Sequence, residues 1–194
     1  MGEFLRRTEY LLSETDPRRL GPAKAEVAFI GRSNVGKSSF LNALCQRRGL
    51  AIVSKTPGRT RAINVFAVDR QRWLVDLPGY GYASGPAASR AGWPAMIEGY
   101  LTSRPSLRAI FMLIDCKVGP TALDQQTRLW LKAHDLPYRL IANKLDQVKP
   151  SRRLAQQRSI AQALESTVAD IAWVSASEGL GMAPLRQDVV KLLE

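Results

Sequence analysis

The sequence predicts a mixed, three-layer α/β domain built on a six-stranded, mostly parallel sheet with one antiparallel strand. Three observations carry this expectation. Apolar runs of strand length recur along the chain, stretches with helical spacing fall between most of them, and one pair of runs is joined too closely for a helix. The 194 residues, 45% of them hydrophobic, suffice for one well-buried domain and are short for two.

Residues 1–22, with RRTEY and DPRRLGP, read as an N-terminal arm with room for a short helix, ending at Gly21 and Pro22; residues 23–194 read as a single domain. EVAFI (26–30) is the first strand. GRSNVGKSSF (31–40) holds its turn residues too long for a tight hairpin and then resumes with FLNALC, so it is a loop opening a helix over SSFLNALCQ. INVFAV (63–68) reaches WLVDL (73–77) through only a few residues, which makes that pair antiparallel. From there helix and strand alternate: PAMIEGYLTS, AIFMLID (109–115), TALDQQTRLWLKAH, YRLIAN (138–143), RLAQQRSIAQALEST, IAWVSA (171–176) and APLRQDVVKLLE. Such alternation implies parallel strands covered on both faces.

Charge is the unusual bulk property. Lys and Arg outnumber Asp and Glu by 28 to 17, and residues 25 to 105 alone hold 11 basic against 4 acidic side chains. A basic field concentrated on the glycine loop and its sequel is the footprint expected of nucleic-acid binding, with a merely solvated, soluble surface as the other reading. Cys45 and Cys116 sit in apolar surroundings without partners at metal-ligand spacing, which predicts core thiols and fits a reducing cytoplasm. The apolar runs are too short to cross a bilayer and the N-terminus lacks a signal core, so a cytoplasmic location without membrane insertion is expected.

Gly31, Gly36, Lys37 and Ser38 satisfy G-x-x-x-x-G-K-[ST] between a strand and a helix, the context a phosphate loop requires. The backbone of Arg32, Ser33, Asn34 and Val35 can curl so that its N–H groups face phosphate oxygens, the helix adds its positive end, Lys37 adds a full charge, and the Ser38 hydroxyl suits Mg²⁺. NKLD, Asn143, Lys144, Leu145 and Asp146, ends the fifth apolar run. The Asp146 carboxylate can accept from the N1–H and N2 amino group of guanine, whereas adenine presents an acceptor at N1, so guanine is favoured. Asn143 can tie the loop together and the stem of Lys144 can lie along the base. DLPG, Asp76, Leu77, Pro78 and Gly79, ends the third run, with Asp76 placed to hold Mg²⁺ through water and Gly79 to offer an amide to the last phosphate. SKTPGRTR (54–61) carries Thr60 as a second hydroxyl for the metal, and Ser175, Ala176 and Ser177 close the last run where a backbone N–H could meet the guanine O6.

These five segments, in this order, resemble a TRAFAC-class GTPase. GRSNVGKSS, SKTPGRTR and above all DLPGYGYA resemble the EngB family (YihA/YsxC) of bacterial ribosome-biogenesis GTP-binding proteins, over about residues 20 to 194. The resemblance implies a Ras-like P-loop fold, GTP or GDP and Mg²⁺ as ligands, a cytoplasmic site, partnership with the rRNA and proteins of the large ribosomal subunit, and a link to septation in cell division. By position it assigns phosphate binding to Gly31 through Ser38, metal to Ser38 and Thr60, switch segments to Gly58, Arg59, Thr60, Arg61 and Ala62 and to Asp76 through Gly79, and base recognition to Asn143 through Asp146 and Ser175 through Ser177. The chain has NKLD where the family commonly carries T-K-x-D. A GTP-dependent recruiter of division factors with negligible turnover is the alternative reading.

Tyr80 stands where many Ras-like enzymes place the glutamine that orients the attacking water, so no residue is assigned to catalysis, with Lys37 and Thr60 in support. GTP hydrolysis is therefore expected to be slow unless a partner or K⁺ stimulates it. Asn34 resembles the asparagine that potassium-dependent members of the class use; a polar loop residue bonded to backbone is the other reading. Tyr80 with Gly81, Tyr82, Gly85 and Pro86 is expected to make the second loop mobile and sticky. Beside Arg47, Arg48, Lys55, Arg59 and Arg61, it would form a basic and aromatic face for a ribosomal partner in the GTP state of a monomer. His134 is expected at a helix end, and the tryptophans in packing.

Overall fold

The computed structural model describes residues 2–52, 62–80 and 87–194, with side chains from residue 95 onward in the last stretch. Its elements, in chain order, are α1 (Gly2–Arg6), β1 (Glu9–Glu14), β2 (Ala25–Gly31), α2 (Lys37–Leu44), β3 (Ile63–Ala67), β4 (Arg72–Asp76), α3 (Ala87–Ser103), β5 (Leu107–Asp115), α4 (Ala122–Ala133), β6 (Tyr138–Asn143), α5 (Arg153–Ala163), β7 (Ile171–Trp173) and α6 (Met182–Leu193). The strands form one sheet in the order β1-β3-β4-β2-β5-β6-β7. Only β3 runs against the rest, antiparallel to both β1 and β4, because Asp69 turns the chain back by accepting from the amides of Gln71 and Arg72, both at 2.9 Å.

Among the described residues the sheet has seven strands where the sequence predicts six. The extra one, β1, comes from the segment read as an arm. EYLLSE shows little of itself as a strand because it lies at the sheet edge with Tyr10 and Leu11 exposed, so its pattern lacks the apolar continuity of the central strands. Tyr10 packs edge-on against Phe66 of β3 and Ser13 donates to Asn64 Oδ1 at 2.5 Å, which fixes the pairing.

Alternation along the strands sorts the core into two layers. Ala28, Ile30, Val75, Ile110, Met112 and Leu140 pack under Ile97 and Tyr100 of α3, Leu131 of α4 and Ile160 of α5. Val27, Phe29, Leu74, Phe111 and Ile141 pack under Leu5 of α1, Phe40, Leu41 and Leu44 of α2, and Leu185, Val189 and Leu193 of α6. Cys45 and Cys116 are free and buried, as core thiols should be. Trp73 is buried, Trp130 and Trp173 are half-buried, and Trp93 lies outside the described side chains. Among the described residues no helix is long and apolar enough to cross a membrane.

At the start of β2 a charged group enters this apolar sheet. Glu26 is fully buried and accepts from Tyr100 Oη, Ser106 Oγ at 2.7 Å and the guanidinium of Arg104. Arg104 also donates to the carbonyls of Leu20 and Gly21, at 3.3 and 3.0 Å, and so ties the end of the N-terminal segment to α3.

Candidate functional site

The predicted loops converge at the carboxyl edge of the sheet, where ligands of α/β proteins gather. β2 runs into the loop Gly31 to Ser38, whose curvature rests on two residues at positive φ, Asn34 at 67° and Gly36 at 95°. Gly36 is required for a second reason: a Cβ there would sit 2.8 Å from Asn143 Nδ2. Gly31 is equally confined, with a Cβ falling 2.9 Å from the Leu113 carbonyl and from Val35 Cγ1. Val35 is buried and anchors the loop, Asn34 is exposed, and Arg32, Ser33, Lys37 and Ser38 are half-buried. α2 opens at Lys37, and its amides and positive end face the site.

The DLPG segment continues the β4–β2 ladder beyond β4. Leu77 N donates to Phe29 O at 3.0 Å, Tyr80 N to Gly31 O at 3.3 Å, and Ser33 N to Tyr80 O at 3.0 Å. Gly79 therefore lies against the loop, and a Cβ on it would come 3.0 Å from Ser33 N. Asp76 is buried beside Lys37 Nζ at 3.8 Å, and among the described residues its Oδ1 has no hydrogen-bond partner. Burial pushes the Asp76 carboxyl above its ordinary range while the Lys37 ammonium opposes the shift. A buried carboxylate oxygen without a partner is a hard donor of the kind a divalent cation such as Mg²⁺ prefers.

The NKLD loop is fastened to both neighbours. Asn143, itself buried, donates from Nδ2 to Val35 O at 3.2 Å and accepts at Oδ1 from Ala176 N at 3.2 Å. Lys144, at φ 66°, reaches back over Gly36 and donates from Nζ to Asn34 O and to Asp115 Oδ2, each at 2.7 Å. Asp146 accepts from Ser175 Oγ at 2.6 Å, and Ser175 also pairs with Ser177 Oγ at 3.0 Å. Leu145 is buried and its amide joins Val174 O at 3.0 Å. Gly31 through Ser38, Asp76 through Gly79, Asn143 through Asp146 and Ser175 through Ser177 thus form one continuous rim. Ala62 precedes β3, whereas Gly58, Arg59, Thr60 and Arg61 lie outside the described residues, as do Lys55 and most of the second loop after Tyr80.

Two residues were missed or misread in the sequence. Asp115, at the end of β5, accepts from the amides of Lys117 and Val118 through Oδ1 and holds Lys144 through Oδ2; a strand-end carboxylate in IDCK was the available signal. Tyr80 is not part of a sticky surface. It is buried, and its hydroxyl donates to Asp124 Oδ1 at 2.6 Å, the same carboxylate that caps α4 through Thr121. An apolar ring flanked by an amide ladder turns inward, where the core can take it and the cap can satisfy its hydroxyl. His134 is exposed at the C-terminal cap of α4, its Nδ1 2.9 Å from Trp130 O, as a helix-end group should be.

A family profile described as 50S ribosome-binding GTPase matches residues 26–144. The chain is 41% identical over 169 residues to a probable GTP-binding protein EngB of Geobacter metallireducens, covering 87% of this chain and 83% of the relative. It is 37% identical over 192 residues to the corresponding protein of Desulfatibacillum aliphaticivorans, covering 98% and 94%. The crystal structure of a probable GTP-binding protein EngB shares the fold, with a TM-score of 0.68 at 24% identity over 87% of this chain and 98% of that one. Rim, sheet order and relatives agree: the chain belongs to the EngB family of P-loop GTPases.

Proposed function

We propose that the protein is a GTP-dependent switch, acting as a cytoplasmic monomer in the assembly of the large ribosomal subunit and linked through it to septation. The observation that carries the reading is Asn143, which couples the phosphate loop at Val35 to the base-facing loop at Ala176, so that triphosphate and purine are read by one connected frame. In this reading the amides of Gly31 through Ser38 and the Lys37 ammonium hold the phosphates. Asp146, oriented by Ser175, accepts from guanine, and the Lys144 stem covers the base while its ammonium is fixed elsewhere. Ser38 and, through water, Asp76 would hold Mg²⁺, with Thr60 joining in the GTP state; the cation supplies charge neutralisation at the β- and γ-phosphates. Gly58 through Ala62 and Asp76 through Gly79 are the segments that respond to the third phosphate.

Because Tyr80 is committed to Asp124, it does not orient water, and hydrolysis is slow until a partner or K⁺ beside Asn34 organises the reacting groups. The family profile's description and the basic excess of residues 25 to 105 support a ribosomal partner. The inward Tyr80 equally favours a second reading, a recruiter of division factors that scarcely turns over. Co-sedimentation with purified large subunits under a GTP analogue, GDP or no nucleotide tests the first reading. Binding that rises with the analogue, together with phosphate release stimulated by the particles, is the expected result. Binding indifferent to nucleotide, with no stimulated turnover, would leave the recruiter in its place.

A further inference from the structure

At the C-terminal end of α2 the chain gathers cations that, among the described residues, pair with no carboxylate. Arg6 donates from Nε to Gln46 Oε1 at 2.7 Å, and Arg47 from Nη1 to the Thr8 carbonyl at 2.6 Å. Arg186 of α6 donates from Nε and Nη2 to the carbonyls of Leu44 and Ala43, both at 3.2 Å. Arg7 and Arg48 adjoin them in sequence and, like Arg6 and Arg47, are exposed. Every one of these acceptors is neutral. By contrast Arg18, Arg72, Arg104, Arg128 and Arg139 each oppose a carboxylate. Among the described residues the five arginines at this corner form no ion pair, and residues 53–61 and 81–94 contain no Asp or Glu to supply one.

Helix capping accounts for only part of this. The carbonyl end of a helix carries about half a negative charge, against five guanidinium groups, so most of the positive charge is left over. The arginines also disfavour one another: burial, and after it the charge of Arg6, lower the pKa of Arg186. A fold that holds like charges together without compensation gains nothing from them unless a polyanion arrives.

Resting on the reading of the protein as a large-subunit factor, we propose that the corner formed by α1, the end of α2 and the start of α6 is the surface that grips the phosphate backbone of ribosomal RNA. Guanidinium groups match phosphate oxygens in pairs. Among the described residues the exposed apolar side chains nearest in sequence, Tyr10, Leu11 and Ile52, lie outside α1, α2 and α6, so the three helices themselves offer charge and no apolar centre of the kind a protein interface uses. The surface lies over the sheet face opposite α5, whose exposed Arg152 and Arg158 neighbourhood provides a control of equal charge.

The test compares wild type, Arg6→Glu/Arg48→Glu and the control Arg152→Glu/Arg158→Glu. Each is titrated with intact large subunits and with deproteinised large-subunit rRNA over a salt series, with GDP binding and a thermal melt as checks on folding. The α2-corner variant is expected to keep its melt and its GDP affinity, to bind rRNA about tenfold or more weakly at low salt, and to lose about two from the slope of log K against log salt; the control keeps the wild-type slope. Equal slopes for all three proteins, or equal losses for both variants, would overturn the assignment. So would a loss seen with subunits but not with rRNA, which would make the partner a protein. Wild type failing to bind subunits at all would instead remove the ribosomal reading beneath it.

Discussion

Replacing Asn143 by Ala tests whether the rim is one frame or three independent loops. The side chain is 2% exposed and makes two neutral bonds, to Val35 O and from Ala176 N, each at 3.2 Å. Removing both, and leaving a carbonyl and an amide without their partners, costs about 2 to 4 kcal/mol. For a chain of this size each kcal/mol lowers the melting temperature by about 2 to 4 °C, so a fall of roughly 5 to 15 °C is expected without nucleotide. GDP must then reassemble at least one of the two connections on binding, which weakens its affinity by roughly tenfold. Asn143→Asp sharpens the experiment. It retains an acceptor for Ala176 N but sets an oxygen against Val35 O, and it should be no better than Ala. Thermal melting and titration of a fluorescent GDP give both numbers. A melt within about 1 °C of wild type, or an Asp variant with wild-type affinity, would refute the coupling.

Two further predictions concern the core. Arg104→Met leaves Glu26 buried without its cation and is expected to destabilise the protein by about 3 to 5 kcal/mol in urea denaturation, with Arg104→Met/Glu26→Gln recovering part of the loss; equal stability of single and double variants would contradict the ion-pair account. Burial pushes the thiols of Cys45 and Cys116 up to about 11, so at pH 8 both should be protonated and alkylated far more slowly than free cysteine, with fast labelling appearing only in denaturant. Rapid labelling of the native protein would show these thiols to be reachable.

The central strands were legible because they are buried on both faces and therefore read as unbroken apolar runs. The loop after β2 was legible because its glycines and Lys37 stand at fixed spacing. The reversed hand of β3 followed from a link too short for a helix. What escaped depended on partners far away in sequence. β1 lies at the sheet edge with most of its side chains exposed and becomes a strand only through its pairing with β3. Glu26 inside EVAFI gives no sign of its burial, because the arginine that makes it tolerable stands at position 104. Tyr80 looked like a surface group until Asp124 of α4 came within reach of its hydroxyl. In each case composition and spacing describe a residue's own tendency, while its final place was decided by a contact that only tertiary structure supplies.

The buried carboxylate at the foot of β2 has a consequence for the other end of that strand. If β2 slid by a single position against β4 and β5, Glu26 would swing away from Arg104, and Val27 and Phe29 would exchange one core for the other. Neither loss is tolerable, so the strand works as a ruler clamped at its zero mark. Where Gly31 ends and the loop after it begins is thereby set by a salt link at the opposite end of the strand, remote from the rim.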